Sequence, residues 1–275
     1  MLKMKSILMF AAAVSVALAA QTAQSQDEKP LLVGTVAGSD VDMLQKAAEV
    51  AGRSGLQVEI REFSDYAQLN PVLAAGEIDL NAFQHVPYLD SYLKDHPDEK
   101  LVSIGSTYIS PMGYFSKKIK SLDELKKGDA VAIPNDPSNG GRALLLLQAA
   151  GKIKVDPAKG ISPTPLDVTE NPLELKIIEV EASQTYTSLE DVAAAAINNN
   201  FAQDAGINPL KDSIYLEDSD SPYVNVIAAR EADKENPRYL AFVAAYQTKE
   251  VADFILERFG GATIPAFTPK GEEGK

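Results

Sequence analysis

Apolar runs of strand length alternate with helix-period segments twice along this chain, and polar residues gather where the runs stop. Residues 31–36 form a continuous apolar run ended by Gly38-Ser39-Asp40. Val41, Leu44, Ala47, Val50 and Ala51 then recur at helical spacing. A second run lies at 56–60, a helical segment at 66–75 is closed by Gly76, and a third run fills 78–83. Segments 102–108 and 112–115 continue the series, with Pro111 between them as punctuation. Strands alternating with helices of this length predict βαβ units and mainly parallel sheets.

The same grammar resumes further on. Ser121-Leu122-Asp123-Glu124-Leu125 carries a helix start, with Ser121 as N-cap and Glu124 three residues later. A strand at 130–133 precedes a helix at 138–150 that Gly151 stops, and a proline-rich stretch at 156–172 reads as a long surface connection. Runs at 175–180, 192–197, 214–216 and 224–228 are further strands, and 237–259 reads as two helices. The expected fold class is therefore α/β with two lobes, each a mainly parallel sheet flanked by helices. Residues 30–115 plus 225–275 form one lobe and 116–224 the other, and crossings near Gly113 and Val224 make a two-strand hinge. A single larger doubly wound domain is the competing reading.

The N-terminus has the three parts of a secretory signal peptide: Lys3 and Lys5, an apolar stretch at 7–20, and the small residues Ala17-Leu18-Ala19. That stretch is too short to span a bilayer as a helix. Residues 1–25 are thus expected to be removed, with cleavage between 19 and 25. The chain contains no cysteine, which removes disulfides, thiolate metal sites and a cysteine nucleophile together. With two histidines in all, His85 and His96, a histidine metal site is not expected, and no cofactor is implied. The formal charge of −13 argues against nucleic acid or an anionic membrane as partner.

Arg142 stands in the first turn or so of the 138–150 helix, where the helix dipole disfavours a cation. A guanidinium there is tolerated best when it shares an anion with exposed backbone N–H groups, and it can hold a carboxylate by two parallel hydrogen bonds. From position alone, a solvated arginine or an ion pair with one of the many acids explains it better. Asp136 and Ser138 read as helix caps, while Asn139, Gly140 and Gly141 let backbone approach a ligand closely. Asn225 interrupts an apolar strand, where an amide does not go unpaired. Phe83, His85 and Tyr88, with Tyr66 and Tyr108, supply an aromatic wall of the kind against which a thioether packs well.

Three clusters, taken in order, carry more information than any of these residues alone. They are Asn81-Ala82-Phe83-Gln84-His85, Pro134-Asn135-Asp136-Pro137-Ser138-Asn139-Gly140-Gly141-Arg142 and Ser221-Pro222-Tyr223-Val224-Asn225. Each closes or adjoins an apolar run, where open α/β sheets place ligands. Together they resemble the NlpA lipoprotein family of amino-acid-binding proteins, which feed methionine-type ABC importers, from about Leu31 to the last helix. The resemblance implies a type II-like periplasmic binding protein fold and no enzymatic activity. It implies that Arg142, Asn198 and Asn225 hold the charged backbone of an amino acid, L-methionine being favoured. Phe83, His85 and Tyr88, with Tyr66 and Tyr108, would then face its side chain. The partners implied are that small molecule and a membrane permease, with the receptor itself a monomer. The family's lipid-bearing cysteine is absent here, so a free periplasmic protein is expected rather than a lipoprotein.

Two other functions compete. An exported α/β hydrolase or transferase would need His85 as base, and the chain has no Gly-x-Ser-x-Gly elbow, His-Glu-x-x-His motif or phosphate loop. An adhesion or interaction protein could reuse the binding fold.

Overall fold

The computed structural model describes residues 29–218 and 221–269, and the expected leader at 1–25 lies outside them. The chain opens with β1 (Leu31–Val36), α1 (Ser39–Gly52), β2 (Val58–Phe63), α2 (Leu69–Ala74), β3 (Leu80–His85), α3 (Val86–Asp95) and β4 (Leu101–Ser106). The short β5 (Tyr108–Ile109) precedes β6 (Gly113–Phe115), β7 (Ala130–Pro134) and α4 (Pro137–Ala149). Then come β8 (Lys154–Val155), β9 (Val168–Glu170), β10 (Lys176–Val180), β11 (Ala194–Ile197), α5 (Asn199–Asp204), α6 (Pro209–Asp212) and β12 (Tyr215–Leu216). β13 (Asn225–Arg230), α7 (Pro237–Tyr246), α8 (Lys249–Phe259) and β14 (Ile264–Pro265) follow.

Two five-stranded sheets result, ordered β2-β1-β3-β13-β4 and β10-β7-β11-β6-β12. β1 pairs in parallel with β2 and β3, and β7 with β10 and β11. β13 runs antiparallel to β3 and β4, and β6 antiparallel to β11 and β12. The sheets are mixed, where the sequence predicted mainly parallel ones. Topology supplies the reason. The strands of each sheet end at a common cleft, so a chain that crosses the cleft enters the other sheet from that side and must run backwards. β6 does this on the way out and β13 on the way back.

The sequence boundary at 115 falls too late by the length of one strand. Gly113–Phe115 belong to the second sheet, because Tyr114 and Phe115 are buried in its two cores. The Tyr114 hydroxyl donates to the Ala143 carbonyl at 3.0 Å, which ties β6 to α4. On one face of the first sheet, Leu44 and Ala47 of α1 pack with Phe242, Tyr246 and Ile255 of the C-terminal helices. Leu69, Leu73, Phe83 and Leu89 fill the other face. In the second lobe, Ala143, Leu144 and Leu147 recur at helical spacing and put one side of α4 into the core. Truncating a fully buried leucine such as Leu144 to alanine costs about 2–5 kcal/mol. Gly76 and Gly151 adopt φ values of 78° and 71° where the sequence predicted helix stops. Among the described residues no helix is long and apolar enough to cross a membrane.

Candidate functional site

Between the sheets, where their strands end, lies a cavity. Its lining includes all eight residues singled out from the sequence: Tyr66, Phe83, His85, Tyr88, Tyr108, Arg142, Asn198 and Asn225. Aromatic walls with a few convergent polar groups suit a small organic ligand.

The aromatic wall is one packed cluster. Tyr66 lies with its ring centroid 5.7 Å from Phe83, 6.0 Å from Tyr88 and 5.1 Å from Phe201, and Phe83 meets Tyr88 edge-on at 5.5 Å. Phe201 belongs to α5 of the second lobe, so the wall is continued from across the cleft. The Tyr66 hydroxyl donates to Asn200 Oδ1 at 2.7 Å, also across the cleft.

His85 ends β3 in extended backbone and caps α3, its Nδ1 accepting the Tyr88 N–H at 3.1 Å. That bond leaves the ring proton on Nε2, which donates to Asn139 Oδ1 at 3.1 Å. Burial and then the nearby Arg142 charge push its pKa down to about 3, so the ring is neutral. Both of its nitrogens are engaged within the protein. Asn139 Oδ1 also accepts from Asn198 Nδ2 at 2.8 Å, while Asn139 Nδ2 donates to both oxygens of Asp136. A polar relay thus joins the two lobes through His85 and Asn139. Asp136 caps α4, as read from the sequence, taking the Asn139 N–H at 2.8 Å. Ser138 does not cap: its hydroxyl donates to Asp136 Oδ1. Gly140 and Gly141 serve packing rather than ligand approach. A Cβ at Gly140 would stand 2.8 Å from the Pro134 carbonyl oxygen, and one at Gly141 3.0 Å from backbone at 161–162.

Arg142 stands in the second turn of α4, a turn later than the sequence suggested, so the helix start does not explain it. Its guanidinium is held from three sides. Nε donates to Glu217 Oε1 and Oε2 at 3.0 and 3.1 Å, and Nη2 bonds Glu217 Oε2 and the Ser110 carbonyl. The Tyr223 ring lies beneath it, 4.2 Å from centroid to the guanidinium carbon. Glu217 Oε2 also accepts the Met112 N–H at 3.1 Å. Glu217 therefore ties Arg142 to both stretches of chain that cross between the lobes. Nη1 takes no hydrogen bond among the described residues, and Arg142 lines the cavity.

Several lining amides are incompletely bonded. Asn198 Oδ1 and Asn200 Nδ2 are buried without a hydrogen-bond partner. The Asn225 side chain makes no hydrogen bond among the described residues, although the strand register sets it opposite His85. Asn199 is committed to structure, donating to the Ala262 carbonyl at 2.8 Å. Sequence reasoning missed Glu217, Asn200 and Asp40. Glu217 sits in an acid-rich stretch that gives no hint of its partner, and Asp40 reads as an ordinary first-turn helix acid. No group of three His, Cys, Asp or Glu residues among those described could hold a metal ion.

Comparison with known proteins agrees with this architecture. The NlpA lipoprotein family profile matches residues 31–267. The D-methionine-binding lipoprotein MetQ of Salmonella typhimurium is 47% identical over 253 residues, covering 91% of this chain and 93% of that protein. A nutrient-binding protein from Burkholderia cenocepacia, solved bound to methionine, superposes with a TM-score of 0.84 at 48% identity, over 86% of this chain and 100% of that one. A methionine-binding lipoprotein, so described as putative, from Bacillus subtilis gives a TM-score of 0.84 at 31% identity, over 88% and 100% of the two chains. With the profile match spanning both lobes and the cleft between them, the chain belongs to the NlpA lipoprotein family.

Proposed function

We propose that this chain is the periplasmic receptor of an ABC importer, capturing a free amino acid, L-methionine in preference, and delivering it to the membrane permease. The observation that carries the reading is the make-up of the cavity. Its lining brings together Arg142, Asn198 with its unmet Oδ1, and Asn225 with the wall of Tyr66, Phe83 and Tyr88. A zwitterion buried deeply needs paired groups for both charges, and an unbranched thioether gains from ring edges. In this reading Arg142, Asn198 and Asn225 take the ligand's carboxylate and ammonium. Phe83, Tyr88, Tyr66 and Tyr108 face its side chain, and His85 contributes its ring face. The methionine named for the Salmonella and Burkholderia relatives supports that choice of ligand.

The lobes would act as the units that open and close, hinged where the chain crosses between the sheets at 110–112 and 221–224, with ligand favouring the closed form. The Tyr66–Asn200 and His85–Asn139 bonds, both across the cleft, support closure as the described state.

Thermal shift across amino acids, followed by calorimetry, tests the function. L-methionine should raise Tm and bind one per chain with about 8–12 kcal/mol, the span from micromolar to nanomolar Kd. No response to any amino acid would sink the proposal. The hydrolase alternative draws little from the site. His85, the base it would require, is held neutral with both ring nitrogens bonded inside the protein.

A further inference from the structure

Asp40 opens α1, and locally that is unremarkable: a carboxylate in the first turn meets the positive end of the helix dipole. Its tertiary surroundings are different. Asp40 is 3% exposed, and its Oδ1 accepts the Tyr108 hydroxyl at 2.9 Å. Oδ2 is buried and takes no hydrogen bond, as does the neighbouring Ser39 Oγ, and both residues line the ligand cavity. The groups around it are Asp204 on α5, a charge of the same sign, and the phenols of Tyr66, Tyr108 and Tyr246. Burial foremost, with Asp204 adding, pushes its pKa up to about 7.

Elsewhere in the cleft this protein pairs its buried charges within itself, as Arg142 with Glu217 shows. An unmet carboxylate oxygen bordering a cavity is the pattern of an acceptor whose donor arrives from outside. We propose that Asp40 is a ligand-binding residue whose Oδ2 accepts a hydrogen bond from the ammonium of the captured amino acid. The assignment rests on the amino-acid reading above and extends it. An ammonium carries three N–H donors, more than Asn198 Oδ1 alone satisfies. It also supplies the positive charge that no neighbouring side chain among the described residues provides to Asp40. Ammonium binding would then draw the carboxyl into its ionised form, so that methionine binding releases a proton near neutral pH and tightens as pH rises through about 7.

The test is a cycle of two ligands against wild type, Asp40→Asn and Asp40→Ala. The ligands are L-methionine and 4-(methylthio)butanoate, which keeps the thioether and carboxylate and lacks the amine. Asp40→Asn should weaken methionine at least about tenfold at pH 8 while changing the desamino acid by less than about threefold. Calorimetry in buffers of different ionisation enthalpy should show proton release with the wild type and none with Asp40→Asn. Asp40→Asn preserves an acceptor for Tyr108, and the melting temperature of the empty variant shows that it folds. Equal losses for both ligands, or unchanged methionine affinity, would overturn the assignment while leaving methionine capture intact. A wild type that ignores methionine would overturn the function reading and this assignment with it.

Discussion

Arg142 is 4% exposed and Asp40 3%, both line the cavity, and the protein treats the two charges differently. Arg142 is met by Glu217, the Ser110 carbonyl and the Tyr223 ring, which leaves Nη1 without a hydrogen bond among the described residues. Asp40 has a single phenol on one oxygen and nothing on the other. The cation is oriented before any ligand comes, while the anion is left short of a donor. Orientation in advance limits what must be ordered on binding, and the unmet acceptor confines part of the gain to the bound state.

Removing the finished charge should have the larger effect. Arg142→Ala strands the Glu217 carboxylate, whose side chain is 13% exposed, without its partner. Breaking a buried pair from one side costs about 3–5 kcal/mol, so the empty protein should unfold at markedly lower denaturant. Adding Glu217→Ala should recover a large part of that loss, since no buried charge is then unpaired. Equilibrium unfolding of the two single variants and the double one reads this directly. Additive losses would mean that the pair is not coupled, and the contrast with Asp40 would fall.

The unfinished charge should respond in the opposite direction. Its pKa, about 7 in the folded protein against 3.8 ordinarily, lies above the unfolded value, so the folded state binds more protons between those limits. Wild-type stability therefore declines, on Asp40's account, as pH rises through this window, and the penalty is complete above pH 7. Asp40→Asn should stabilise the empty protein by about 1–3 kcal/mol at pH 8 and by much less near pH 4. His85 slopes the other way. Its pKa, depressed to about 3, adds stability above pH 6.5 that is lost as pH falls toward 3. Unfolding curves at pH 8 and pH 4.5 for wild type and Asp40→Asn isolate the Asp40 share; an equal difference at both would contradict the assigned pKa.

Much of this molecule was legible in its sequence, for reasons that vary by residue. The strands and helices could be read because apolar runs and Gly76 or Gly151 are local signals. Phe83, His85, Arg142 and Asn225 were legible because strand ends meet at the cleft and the clusters mark those ends, while Asn198 came from the family resemblance. Parallel against antiparallel pairing was not legible, since β6 and β13 reverse only because the chain crosses between sheets. Glu217 and Asp40 were hidden for a related reason. Their partners are 75 and 68 positions away in sequence, and nothing near either residue distinguishes a buried acid from a surface one.

Within the aromatic wall the same comparison between finished and open groups recurs at smaller scale. Tyr88→Ala removes an edge-on ring contact with Phe83 and should change the ranking of methionine, norleucine and leucine by about 1–2 kcal/mol. Competition binding with the three ligands checks it, and equal losses for all would remove Tyr88 from side-chain selection.

Tyr66→Phe should act differently. It keeps the ring contacts to Phe83, Tyr88 and Phe201 and deletes only the hydroxyl that reaches Asn200 Oδ1 across the cleft. Asn200 Nδ2 already lacks a partner, so its whole amide would then stand unmet when the lobes close. The loss belongs to the closed form, because in an open cleft water can serve both groups. A neutral hydrogen bond of this kind is worth about 0.5–1.5 kcal/mol, which predicts a loss of roughly two- to tenfold in affinity. The factor should be the same for methionine, norleucine and leucine, since each requires the same closure. The unfolding midpoint of the empty protein should move little. A ligand-dependent loss would place the Tyr66 hydroxyl in contact with the bound side chain, and no loss at all would mean that the Tyr66–Asn200 bond does not hold the lobes together.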